Sequence, residues 1–99
     1  MLYRQGDVLI QTAKRIPNGA TSLPHTILAH GEVTGHSHRI EECADVELFE
    51  QDGTLYLRVA GENATVIHQE HGPVTLPRGE YKVWRQREYS PKEIRIIRD

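Results

Sequence analysis

Six histidines in a chain of 99 residues are the side chains most able to do chemistry, and four of them are clustered. His36 and His38 sit one residue apart in GHSHRI, and His68 and His71 flank Glu70 in VIHQEH. Side chains alternate along a β-strand, so His36 and His38 project to one face, about 6.6–7 Å apart at the backbone. Imidazoles at that spacing can lean onto one ion at nitrogen distances of about 2.0–2.1 Å. His68 and Glu70 share a face of the second segment, and His71 stands beside Gly72, where the chain can turn it either way. The expectation is a divalent metal held by His36, His38, His68 and His71. Zinc, iron, nickel, copper and manganese all accept such ligands. Glu42 and Glu70 are the candidates for a fourth ligand or a general base. The plainer readings are a polar pair that contacts a small ligand, or surface residues without a role. His25, beside Pro24, reads as a solvated loop residue and His30 as structural.

The rest of the chain reads as the β framework that must position these groups. GDVLIQ (6–11) is a short apolar run, and IPNGATSLP (16–24) a loop marked by its prolines and Asn-Gly. HTILAHGEV (25–33) and GHSHRIE (35–41) read as strands. DVELFEQ (45–51) and TLYLRVA (54–60) alternate as half-buried strands do, and Asp52-Gly53 between them fits a two-residue type I′ turn. Gly61-Glu62-Asn63 reads as a break before ATVIHQEHG (64–72), and Pro77-Arg78-Gly79 as a turn before EYKVWRQREY (80–89). EIRIIRD (93–99) reads as a last strand or a frayed tail. No segment shows sustained helical periodicity. Short strands punctuated by glycine and proline predict an all-β fold, a small single-domain barrel or jelly-roll-like sandwich over residues 1–99. His30-Gly31-Glu32-Val33-Thr34 is echoed by His71-Gly72-Pro73-Val74-Thr75, which suggests two halves that each deliver a histidine near a turn.

Composition bounds the function classes. A chain of this length buries roughly 60–65% of its unfolded surface, enough for one modest core. The net charge is −2 with histidines neutral and would reach +4 with all six protonated (−2 plus 6), so charge depends on pH near neutrality. The single cysteine, Cys43, excludes an intrachain disulfide, and its acidic neighbours Glu41, Glu42 and Asp45 would raise its pKa and blunt it as a nucleophile. No signal-like apolar segment follows Met1, and no run approaches a membrane span. The expectation is a complete small cytoplasmic protein without a membrane partner. No phosphate-cradling glycine loop precedes a helix.

Seven acids lie within 32–52 and seven bases within 78–98. Neutralisation between neighbouring segments is one reading of this asymmetry. The other is an interaction surface. In VWRQREY, residues Arg85, Arg87 and Tyr89 share one strand face and could combine phosphate contact with stacking on a single-stranded nucleic acid, or meet an acidic partner. With a slightly negative net charge, general nucleic-acid affinity is not expected.

The histidine pattern together with the later turn resembles the cupin superfamily, small jelly-roll barrels of which many bind a divalent metal. The cupin first motif maps onto Gly31, His36, His38 and Glu42, with the glycine one residue too close. The second maps onto Gly72, Pro77 and Gly79, one residue short, and its histidine ligand position is Lys82 here. That departure makes His68 or His71 the substitute this reading needs. The resemblance covers about half the chain. The combination GDVLI, GEVTGHSHRI, HQEHGP, LPRGEYKV and RQREY is also similar, along nearly the whole chain, to small bacterial proteins without an assigned function. The cupin resemblance implies a small barrel that binds a divalent metal. Separately, His36, His38 and Glu42 could supply the two histidines and a carboxylate of a metal oxygenase, or hold the ion of a metal-assisted hydrolase. A small-ligand module or a homo-oligomer is compatible with the same residues. Two further readings stand beside it: a non-enzymatic interaction module, and a pH-responsive protein whose histidines carry no metal.

Overall fold

The computed structural model describes residues 1–30, 35–41 and 44–86. Among the described residues eight strands form one sheet: β1 (Leu2–Gln5), β2 (Val8–Thr12), β3 (Thr21–Ser22), β4 (Ile27–His30), β5 (Ser37–Ile40), β6 (Val46–Gln51), β7 (Thr54–Ile67) and β8 (Val74–Arg85). Every pairing is antiparallel. The main path runs β1-β2-β8-β7-β5-β4, with β6 on the first half of β7 and β3 on β6. Among the described residues β1 and β4, the ends of that path, do not pair, so the sheet is open rather than a closed barrel. No helix among them is long and apolar enough to cross a membrane.

Two predicted breaks lie inside continuous strands. Gly61-Glu62-Asn63 falls within β7, and Pro77-Arg78-Gly79 within β8. The cause is a bulge. Register passes from Val59 opposite Gly79 to Asn63 opposite Pro77, so three residues of β7 face Arg78 alone. Proline is tolerated where a ladder bond is already missing, and Gly79 takes φ +153°, which side-chain-bearing residues rarely adopt. Arg78 Nε donates to the Gly61 carbonyl across the gap, and the Tyr81 hydroxyl donates to the Pro77 carbonyl. The Asp45 carbonyl accepts from Ala60 and Gly61 N–H, which anchors the bulged strand to the chain entering β6. The turn expected at Asp52-Gly53 is present, with both residues at positive φ and Gln51 opposite Thr54.

One core joins all parts of the sheet. Val8 and Ile10 of β2, Leu28 of β4, Ile40 of β5, Leu48 of β6, Leu57, Val59 and Val66 of β7, and Leu76, Tyr81 and Val83 of β8 belong to the same buried cluster. The inward parity is regular on each side of the bulge, which is how alternating apolar residues in β6, β7 and β8 come to face one interior. On the outer face Arg58 bridges Glu47 and Glu80, at 3.0 and 3.1 Å. Arg58 belongs to neither charged segment and both of its partners are acids, so this pairing does not set the base-rich segment against the acid-rich one.

Leu57 is fully buried, opposite Leu48 and Tyr81. Leu57→Ala is expected to cost about 2–5 kcal/mol, read as a lower urea midpoint with unchanged slope, whereas Arg58→Ala, a half-exposed ion-pair change, should cost less than about 1 kcal/mol.

Candidate functional site

Turns from distant parts of the chain meet at one end of the fold. β1 and β2 are joined by Gly6-Asp7, a two-residue turn that places Gln5 opposite Val8. Gly6 has φ +60°, the first-position requirement of a type II′ turn. A second contribution comes from the start of β5, where His36, His38 and Ile40 alternate inward. The third is the connection between β7 and β8, which carries His68, Gln69, Glu70 and His71. The Gln69 side chain ties this connection to β5, accepting from Ser37 N–H at 3.0 Å and donating to the Gly35 carbonyl at 2.9 Å.

The four predicted histidines come together. Ring centroids lie 4.3 Å apart for His38 and His68, 4.7 Å for His68 and His71, 5.6 Å for His36 and His68, and 5.9 Å for His38 and His71. His38 is the buried centre, 2% exposed. His71 packs over the β1–β2 turn so closely that a Cβ on residue 6 would lie 2.7 Å from its Nε2, so Gly6 is needed for space as well as for φ. Glu70 stands at the rim, 3.9 Å from His36 Nδ1. Among the described residues no three His, Cys, Asp or Glu side chains are already arranged as metal ligands.

Gln5 and Asp7 complete the site and were not anticipated from the sequence. The Gln5 amide nitrogen donates to the carbonyls of Val66 and Gly72, both at 2.9 Å. With both amide hydrogens engaged, its oxygen is the acceptor facing His38 Nδ1 at 2.9 Å. His38 therefore carries its proton on Nδ1 and presents the lone pair of Nε2, the atom 3.6 Å from Asp7 Oδ1. Asp7 Oδ2 accepts from Arg85 Nε at 2.7 Å. His68 is held the other way, its Nδ1 accepting the Glu70 N–H at 2.9 Å. The only sequence signal for these partners is Gln-Gly-Asp between two alternating runs, which marks a hairpin but does not say that its strand end turns into a histidine cluster.

Two of the rings are biased toward the neutral form, His38 and His68. Burial lowers the His38 pKa to about 4, helped by His68, His71 and Arg85 and opposed by Asp7. Burial and its neighbours His71 and His36 also lower His68. Burial alone would raise the Asp7 carboxyl, but the hydrogen bond and charge of Arg85 outweigh it and hold it below the ordinary value.

Other predicted site residues fall elsewhere. Glu42, Cys43 and the 31–34 part of the internal echo lie outside the described residues, as do Arg87 and Tyr89. Arg85 is turned onto Asp7, so in this structure its guanidinium serves the histidine site. Lys82, at the position of a cupin ligand, is exposed on the outer face, its ammonium 6.0 Å from the Trp84 ring centroid. His25 is exposed, with Nδ1 accepting Ile27 N–H, and His30 is exposed at the end of β4.

Fold and site together define a small antiparallel β protein with a partly buried histidine cluster at converging hairpin ends. The chain belongs to the family described as a domain of unknown function (DUF8820), whose profile matches residues 4–86 and so spans every member of the cluster. No curated protein and no solved structure matches the chain.

Unfolded histidine takes up its proton near pH 6.5 and folded His38 only near 4. The folded state therefore gains stability from this residue above about pH 6.5 and loses it as pH falls toward 4, on the order of 3 kcal/mol in all. Urea midpoints measured between pH 7 and pH 4.5 should fall steeply in the wild type and more gently in His38→Gln.

Proposed function

We propose that the chain is a metal-binding protein whose His36, His38, His68 and His71 hold one divalent ion of the zinc, iron, nickel or manganese type, with Asp7 as the adjacent carboxylate. The observation that carries this reading is the spacing of the rings. Two imidazoles bound to one tetrahedral ion stand about 5 Å apart, centroid to centroid. Four of the six ring pairs stand 4.3 to 5.9 Å apart, a range that brackets that value.

The protonation states favour it too. Metal ligation needs neutral imidazole, and burial depresses His38 and His68. Gln5 fixes the His38 tautomer so that Nε2 is the ligating atom, the arrangement by which outer partners orient metal-bound histidines. The cluster is not preset for an ion in every detail. His68 must give up its bond from Glu70 N–H to ligate through Nε2, so binding involves a rotation of that ring. The cupin-like reading goes with this proposal: a β scaffold that brings histidines from two segments to one ion, with activity on, or binding of, a small molecule. His68 and His71 then take the place that Lys82 leaves empty of an imidazole.

Calorimetric titration of chelator-treated protein with zinc, nickel and manganese is expected to show one equivalent bound. His38→Ala and His68→Ala should abolish tight binding, and Gln5→Ala should weaken it about 10–100-fold through the tautomer of His38. Stoichiometry below one-half for every ion, or affinity indifferent to His38 and His68, would overturn the reading.

A further inference from the structure

A cavity of about 370 Å³ reaches Arg85, the residue that holds Asp7 beside the histidine cluster. It is lined by apolar residues, chiefly Leu28, Ala29, Leu55 and Val83, by Gly53 and Thr54 at the β6–β7 turn, and by Lys82, Trp84 and Arg85 of β8. β8 runs past the end of its ladder with β7, since Leu55 opposite Val83 is the last pair, and this leaves Trp84 and Arg85 beside open space. The volume is at the small end of the roughly 300–1,000 Å³ of ligand pockets. It suits a metabolite rather than a polymer.

The described lining residues combine apolar side chains, Val8, Leu28, Leu55 and Val83, with two cations, Lys82 and Arg85, and no acid stands among these described residues. Arg85 also connects the cavity to the cluster, because its Nε holds Asp7 Oδ2 while Asp7 Oδ1 faces His38. An ion among the rings would draw on the charge of Asp7 and leave Arg85 and Lys82 in excess. A ligand that restores the balance must be an anion, and the walls call for an apolar body behind its head. The planar guanidinium fork matches a carboxylate.

We infer that this cavity binds a small amphipathic organic acid, with its carboxylate between Arg85 and Lys82 and its apolar body against Leu28, Leu55 and Val83. The inference rests on the metal reading for the charge balance, and on the cavity itself for its shape.

Trp84 is the sole tryptophan of the chain and lines the cavity, so its fluorescence reports occupancy directly. Zinc-loaded full-length protein is titrated with hexanoate and, in parallel, with 1-hexanol. Hexanoate should shift the emission saturably, and the alcohol should bind about tenfold or more weakly, the scale of a charge-assisted bond. Lys82→Gln, at an exposed strand position, should remove most of that preference while leaving hexanol binding unchanged. Ala29→Phe, with folding checked by circular dichroism, should abolish the response to both. Equal binding of acid and alcohol, or no saturable response to either, overturns the inference. Zinc content is measured on the same samples. Full zinc loading without carboxylate preference sinks the cavity proposal alone. Less than one-half equivalent of zinc sinks the metal reading, and the same acid-against-alcohol comparison then decides the cavity in zinc-free protein.

Discussion

A single buried amide holds the working end of this protein together. Gln5 is 2% exposed and makes three hydrogen bonds: both amide hydrogens go to the Val66 and Gly72 carbonyls, and its oxygen accepts from His38 Nδ1. Those contacts join the β1–β2 hairpin, the β7–β8 connection and β5, three segments far apart in sequence. Removing the amide would strand two carbonyls and an imidazole N–H at once, each costing about 1–3 kcal/mol if left dry. The same bonds decide chemistry. An amide whose nitrogen is committed to two carbonyls cannot flip, so the proton of His38 is fixed on Nδ1 and the lone pair on Nε2.

That amide can reach its partners only because the long hairpin bends. A straight strand of the length of β7 would run roughly 45 Å, longer than the 40 Å greatest dimension of the molecule. The bulge between Val59 and Asn63 supplies the corner, and it brings the far ends of β7 and β8 back over the β1–β2 turn. Gly79, Pro77 and the Tyr81 hydroxyl are thus tied to the site although none of them belongs to the histidine cluster. They shape the strand whose end carries His68 and His71. A change at the corner would act on the cluster through geometry, with the four rings themselves untouched.

Much of this was legible in the sequence, and the part that was not has a definite cause. Alternation gave the inward faces of β6 and of the first half of β7, and the Asp-Gly pair gave their turn. His-x-His gave a shared face for His36 and His38. Glycine and proline were misread at 61–63 and 77–79, because the residues that end a strand are also the ones that permit a bulge within it, and only the cross-strand register tells the two apart. The first strand was missed because Leu-Tyr-Arg-Gln is short and half polar. With it went Gln5 and Asp7, whose inward direction depends on which strand end folds over which turn. The expectation that Arg85 faces a partner shows the same limit: parity placed it correctly beside Val83, but the acid that receives it is 78 residues away.

The packing of the rings also sets what can occupy the site. Two imidazolium charges 4.3 Å apart repel by about 4 kcal/mol at an effective dielectric of 20, and His38 and His68 stand at that distance. Protons therefore enter one at a time and unwillingly, as the depressed His38 shows. A divalent ion brings the same two charges but places them between the rings, where every lone pair points toward the charge instead of every N–H toward another. The spacing that penalises a second proton is the spacing that favours an ion. Under the proposed metal reading, protons and an ion would compete for the same nitrogens, with the Asp7 charge favouring either and the Arg85 charge opposing both. The cluster's response to acidity and the metal affinity proposed for it would then be one property of a single arrangement of rings.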